Sequence, residues 1–247
     1  MKTLEAAVEL VESAPLPVWA KEDVARALDY VLQVWYPDDD PLLVESELTA
    51  GRVKGIVDLL LDTDPPTLVD WKLSRRLDAQ WELRMARSNQ LRLYVALLHH
   101  NQLLEGPVAV EARGINPEER VQSKVVRYLV TPQEAQQVLQ WYQDFLSVLE
   151  ALDPSKPWLR DPSGCRRYGS QYACKFEPYC WEGAELAENR QEGQYVSFSS
   201  VEDFLRCPER YRLTLLTGQE DTSEALETGK VFHEAVAVLY RAKLPQV

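Results

Sequence analysis

Gly55-Ile56-Val57-Asp58 and Leu68-Val69-Asp70-Trp71-Lys72 lie in two apolar runs separated by Asp62-Thr63-Asp64-Pro65-Pro66. Apolar runs broken by such a turn signal predict two neighbouring strands. Strand side chains alternate with period two, so Asp70 and Lys72 project from the same side of theirs. Two carboxylates on adjacent strands can hold a divalent cation, which polarises a phosphate oxygen and lowers the pKa of a bound water. The Lys72 ammonium can then neutralise charge building on phosphorus or orient the attacking hydroxide. A plain hairpin with acids near its turn and a solvated lysine uses the same residues, so an Asp-x-Lys triplet alone does not separate the two readings.

The flanking sequence adds to the pattern. Leu42 to Leu48, Arg52 to Leu61 and Thr67 to Lys72 read as three short strands, the first two divided by Thr49-Ala50-Gly51. A long amphipathic stretch from about Asp78 to His100 follows as one helix, with Gln90 and Tyr94 at i and i+4 on one face. An acidic strand, a Gly-x-x-Asp strand, an Asp-x-Lys strand and a helix with Gln-x-x-x-Tyr, in that order, resemble the RecB-like branch of the PD-(D/E)XK nucleases over about Leu42 to Tyr94. The resemblance implies an α/β, restriction-endonuclease-like core, a mixed central sheet flanked by helices. It also implies Asp58 and Asp70 as metal ligands, the Trp71 carbonyl as an extra oxygen and Lys72 as the catalytic lysine. Gln90 and Tyr94 would contact the scissile region or the DNA backbone. Glu45 is the expected additional acid, with Glu47 its rival, because the two share a strand face.

With 247 residues, 45% of them apolar, the chain can bury a sizeable core, and we expect a single domain. A formal charge of −12 argues against gripping a polyanion over the whole surface. Basic side chains can still be local: Lys72, Arg75, Arg76, Arg84, Arg87 and Arg92 lie in one stretch beside the proposed site. No apolar run reaches the roughly 18 residues that span a bilayer. The opening Met-Lys-Thr-Leu-Glu-Ala-Ala lacks the apolar core of a signal peptide, so the expected location is the cytoplasm.

The organisation expected is one nuclease domain over 1–247. It comprises a helical lead-in at 1–40, a catalytic core at 41–152, a cysteine-rich region at 153–182 and a helical tail at 195–247. The lead-in reads as two helices parted by Pro15 and Pro17. Within the core, strands are expected at Val108 to Ala112 and Val125 to Val130, joined through Gly114-Ile115-Asn116-Pro117, and a helix from Thr131-Pro132 to about Leu152. The tail reads as two helices split near Gly218 to Ser223 and contains Ser197-Phe198-Ser199, Cys207-Pro208-Glu209-Arg210-Tyr211 and Gly229-Lys230-Val231-Phe232-His233. In RecB-like nucleases a similar run, Ser-x-Ser, Cys-Pro-x-x-Tyr, Gly-x-x-x-His, opens the domain and supplies a histidine metal ligand. Here it closes the chain. The resemblance thus implies a circular permutation with His233 as a ligand, and nearby termini make such a permutation physically acceptable.

Four cysteines in a cytosolic chain suit ligands or free thiols better than disulfides. By resemblance to the AddB-type and CRISPR-adaptation nucleases, Cys207 joins Cys165, Cys174 and Cys180 around a [4Fe-4S] cluster. The usual Cys-x2-Cys is absent: Gln171 stands where the extra cysteine would be, and Cys165 lies nine positions before Cys174. Zinc and uncoordinated thiols remain open alternatives. Tyr168, Tyr172, Phe176, Tyr179 and Trp181 are expected to pack around the cluster. His99 and His100, at a helix end, read as structural.

The function implied is Mg²⁺- or Mn²⁺-dependent cleavage of DNA, by an exonuclease or single-strand nuclease acting on single strands or ends in recombination, repair or phage DNA processing. The alternative is a DNA-binding or assembly module that keeps the fold without turnover. A homo-oligomer or larger recombination complex is a further expectation, as is a tail that completes a neighbouring subunit's site.

Overall fold

The structure, a computed structural model, describes residues 2–161, 165, 174–181, 195–218 and 223–245. It separates into two compact units. One comprises Met1–Leu48, Gly55–Leu139 and Thr222–Val247, and the other Thr49–Lys54 and Gln140–Asp221.

Five strands, β1 (Pro41–Ala50), β2 (Val53–Leu61), β3 (Thr67–Leu73), β4 (Val108–Asn116) and β5 (Gln122–Val130), form one sheet in chain order. It is mixed: β2 and β3 pair antiparallel, β3 and β4 parallel, β4 and β5 antiparallel. A parallel pair needs a crossover, and α3 (Ala79–Ala86) with α4 (Asn89–His100) supplies it. Leu59, Leu61, Val69, Trp71 and Ile115 form a core with α1 (Lys2–Ser13), α2 (Val18–Val34) and the last helix, whose Phe232, Val236 and Tyr240 are buried there. Alternation directs Asp70 and Lys72 to the opposite face.

That core holds a buried ionic cluster. The Arg113 guanidinium lies beside the paired rings of Trp35 and Trp71, 5.2 and 5.1 Å from their centroids, which are themselves 5.2 Å apart. It donates to Asp39 at 3.0 Å and to Glu111 at 2.8 Å, and the Tyr240 hydroxyl donates to Asp39 at 2.6 Å. Breaking a buried pair by removing one partner costs about 3–5 kcal/mol, so this cluster fixes the last helix against β4 firmly.

Three boundaries differ from the sequence reading. The single helix expected from Asp78 to His100 is two, because Ser88 leaves helical geometry at φ −64°, ψ 119°. Arg92 caps the break, its guanidinium donating to the carbonyls of Ser88 and Ala86 at 2.9 and 3.0 Å. The β4–β5 hairpin runs longer than expected, since Gly114, Ile115 and Asn116 pair with Lys124, Ser123 and Gln122 before Pro117 stops the ladder. Among its described residues the tail holds three helices, α7 (Phe198–Arg206), α8 (Pro208–Thr217) and α9 (Glu224–Arg241). Cys207 is forced extended, φ −162°, ψ 107°, by the proline after it, and that proline opens α8.

The second unit takes most of its described residues from α5 (Pro132–Ala151), which it shares with the first, the short α6 (Glu177–Trp181), α7 and α8. Phe204 is its aromatic hub, edge-on to Phe145 at 5.1 Å and Tyr211 at 6.0 Å. The buried Glu209 accepts from Trp158 N–H at 2.6 Å and from both ends of the Arg212 fork at 2.7 Å. Among the described residues no helix is long and apolar enough to cross a membrane.

Candidate active site

The β2–β3 ladder pairs Leu61 with Thr67, Leu60 with Leu68 and Leu59 with Val69. One residue further along, the Trp71 N–H donates at 3.0 Å to the Asp58 side chain. A carboxylate thus takes the place of a strand carbonyl, and Asp58 lies at the mouth of the pair where both α9 and α4 reach it. From α9, His233 Nδ1 comes within 3.3 Å of Asp58 and 3.5 Å of Glu45. Ligating atoms of Glu45, Asp58 and His233 all lie within 4.8 Å of one another, a separation one ion can bridge.

Glu45 reaches this point through an unusual backbone. Its φ is +43°, inside β1, a left-handed conformation that costs an ordinary residue about 1–3 kcal/mol. The kink interrupts the alternation on which Glu45 and Glu47 would share a face: Glu45 turns half-buried toward His233, and Glu47 is exposed.

Asp70 is 1% exposed; one of its oxygens receives the Lys72 ammonium at 2.9 Å. Its other oxygen is buried with no hydrogen-bond partner among the described residues. Burial, opposed by Lys72 and reinforced by Asp58, pushes the Asp70 carboxyl up to about 6. Burial acts the same way on Asp58, but the His233 imidazolium and Lys72 outweigh it and hold that group below the usual carboxylate range. Against the burial that would lower it, Asp58 and Glu45 raise His233 to about 10. Carboxylates gathered round one imidazole, with a carboxylate oxygen left unmatched beside them, form a donor set suited to a divalent cation, and Mg²⁺ or Mn²⁺ fits its oxygen-rich character.

Gln90 and Tyr94 join this group from α4. The Gln90 amide donates to the Tyr94 hydroxyl at 2.7 Å. Burial and the charges of Asp58, Asp70 and Glu45 raise the Tyr94 pKa, so the phenol stays protonated beside them. Its ring needs Gly55: a Cβ there would lie 2.8 Å from the Tyr94 ring and 2.9 Å from Leu97. Gly55→Ala is therefore expected to cost about 1–3 kcal/mol by overpacking and to weaken any activity that uses Tyr94, checked by thermal melts and single-turnover rates. Gly114, the Cα partner of Lys72, accommodates Trp81 of α3 in the same way, since a Cβ on that glycine would stand 2.5 Å from the indole.

A sequence model of the PD-(D/E)XK nuclease superfamily matches residues 2–181 and 195–247. The chain belongs to that superfamily. No curated protein matches. A solved structure titled "Crystal structure of SSO0001" is similar over 46% of this chain and 53% of its own, at 14% identity and a TM-score of 0.26, so the chain spans about half the length of that structure. PD-(D/E)XK nucleases use divalent metal ions, and the group around Asp58 is this member's acidic candidate for one.

The cysteines of this PD-(D/E)XK chain meet in the second unit. Cys174 is buried with Phe176 and Leu213, and Cys165, Tyr179 and Cys180 pack against them. Cys207 is also buried, its sulfur accepting from the Asp161 N–H at 3.4 Å. Burial pushes the Cys165 thiol up and the Cys180 thiol to about 11; the charges of Cys174 and Cys207 act on both, which places the four near one another. Phe176 is fully buried in the group, while Trp181 is half exposed and holds Arg160 over its ring at 5.5 Å. Tyr168, Gln171 and Tyr172 lie outside the described residues.

His99 and His100 close α4. The sequence reading did not single out Asp39, Arg113 and Tyr240, which fix the helix carrying His233. The sign of them was an arginine inside the apolar run Val108 to Ile115, which needs buried partners.

Proposed function

We propose that this chain is a Mg²⁺- or Mn²⁺-dependent deoxyribonuclease, an exonuclease or single-strand nuclease of recombination, repair or phage DNA processing. The observation that carries the reading is the convergence of Glu45, Asp58 and His233 within 4.8 Å, next to Asp70 and Lys72. A divalent cation held by Glu45, Asp58 and His233, with Asp70 and the Trp71 carbonyl alongside, would supply polarisation of the phosphate and activation of water. Lys72, anchored through Asp70, directs its ammonium at the charge developing on the phosphate oxygens. The protonated Tyr94 hydroxyl, oriented by Gln90, donates a hydrogen bond to the phosphate backbone. Digestion of single- and double-stranded DNA that appears with added Mg²⁺ or Mn²⁺ and vanishes with a chelator is the expected result. DNA binding without turnover in either metal would instead assign a binding module.

The reading extends to the chain order and the cysteines. Placement of His233, from the tail, 3.3 Å from Asp58 of the same chain supports a circularly permuted nuclease domain whose site one chain completes. The grouping of Cys165, Cys174, Cys180 and Cys207 supports a structural [4Fe-4S] cluster in the second unit.

A further inference from the structure

Three arginines stand apart from the rest of this acidic chain. Between Lys72 and Arg92 there are six basic residues and two acidic ones, in a chain whose formal charge is −12. Three of the six are committed within the fold. Lys72 holds Asp70. Arg75 pairs with Asp23 and lies 6.0 Å from the Trp19 ring. Arg92 caps the α3–α4 break and lies 4.7 Å from the Tyr128 ring. Arg76, Arg84 and Arg87 are exposed, and none of their side chains has an ion-pair or hydrogen-bond partner among the described residues.

Their position is set by packing. Trp81 is buried over Gly114, the β4 residue paired with both Lys72 of β3 and Lys124 of β5. Residues paired across a sheet point to one face, so Trp81 seats α3 on the face that carries Lys72, one strand away. Helical spacing then turns Gln80, Leu83, Arg84 and Arg87 outward together, and all four are exposed, Leu83 by 50%. Immediately after this stripe come Ser88, Asn89 and then Gln90, which holds Tyr94 beside the carboxylates. The stripe is therefore cationic, lies on the helix that packs on the face carrying Lys72, and directly precedes in sequence the helix that carries Gln90 and Tyr94.

We infer that the exposed face of α3, through Arg84 and Arg87 with Arg76 before them, is the surface that grips the phosphate backbone of the nucleic-acid strand entering the site. Planar guanidiniums match phosphate oxygens in pairs, and a solvent-exposed leucine between them can lie against a sugar or base. The inference rests on the nuclease reading and adds the route by which an otherwise acidic protein holds its substrate: the rest of the surface repels the polyanion and leaves this face to receive it.

The test is fluorescence anisotropy of a labelled single-stranded oligodeoxynucleotide titrated with the full chain in chelator, over a series of salt concentrations. The double variant Arg84→Ala/Arg87→Ala is expected to bind about tenfold more weakly. Two lost phosphate contacts also flatten the slope of log affinity against log salt by about 1.4, at roughly 0.7 per contact for single strands. Arg84→Lys/Arg87→Lys is expected to keep the slope. Arg241→Ala, which removes an exposed charge from α9, is expected to change neither quantity. Calorimetric Mn²⁺ binding and the thermal melt are expected to be the same in the double variant as in wild type, which separates loss of the grip from damage to the site. Wild-type affinity and slope in the double variant would overturn the assignment of this face while leaving the nuclease reading standing. A wild-type chain that neither binds nor cuts any oligonucleotide would overturn both.

Discussion

Asp70→Asn is expected to abolish metal-dependent cleavage while leaving the protein as stable as before, or more so. The activity loss should reach about 10³-fold or more, since the polarisation a bound cation supplies is worth several kcal/mol and each 1.36 kcal/mol is tenfold in rate. Stability moves the other way because Asp70 is a buried carboxylate whose second oxygen has no partner among the described residues, and burial pushes its pKa up to about 6 from the ordinary 3.8. For an acid whose folded pKa is raised, the folded state binds more protons than the unfolded one. Wild-type stability therefore falls as pH rises from about 4 to about 6 and stays at the lower level above that. The neutral amide escapes this cost, so in chelator its advantage should be largest at pH 8 and should shrink as pH falls below about 6. Paired thermal melts at pH 5 and pH 8, beside a single-turnover digestion, check both halves. Full activity in the variant would remove Asp70 from the reaction. A large drop in its melting temperature at pH 8 would make Asp70 a structural partner of Lys72 instead.

The second large effect is expected at Cys207. It lies at the α7–α8 junction, buried, where Pro208 fixes its backbone and Asp161 donates to its sulfur. If the four cysteines hold one cluster, Cys207→Ala removes the ligand that ties the tail to the loop carrying Cys165, Cys174 and Cys180. Loss of such a site costs more than about 4 kcal/mol, against the roughly 5–15 kcal/mol that stabilises a whole domain. Anaerobically purified wild type should be brown and contain iron, and the variant should lose both and become susceptible to limited proteolysis across 140–221. A normally folded, protease-resistant variant without iron would refute the staple role. A colourless wild type carrying zinc would keep the staple and replace the cluster.

Much of this architecture was legible in the order of residues because the signals are local. Alternation and turn chemistry marked Leu42 to Lys72 as three strands, and a Pro or Gly stood at most boundaries. Boundaries failed where the deciding partner is remote. Nothing in the run Arg87-Ser88-Asn89 outweighs a strong helical pattern on its own, and the break there is held by Arg92 reaching back to two carbonyls. Cys207 is the opposite case: its Pro208 neighbour was a legible stop, missed because the helical periodicity on either side continues through it.

The site divides along the same line. Sequence alone determined which residue types lie on which strands: Asp58 and Asp70 on neighbours, Lys72 two places on, Gln90 and Tyr94 one turn apart, and four cysteines confined to the last third of the chain. Only the tertiary structure decided that His233 meets Asp58 and Glu45, that a left-handed kink at Glu45 separates it from Glu47, and that the paired register of β2 and β3 ends beside Asp58, whose side chain takes the Trp71 N–H. The physical reason is range. Side-chain periodicity and turn propensity are set by neighbours a few bonds away, whereas a ligand contributed more than 170 residues downstream is brought in by the packing of α9 against the sheet and the buried bonds among Tyr240, Asp39 and Arg113.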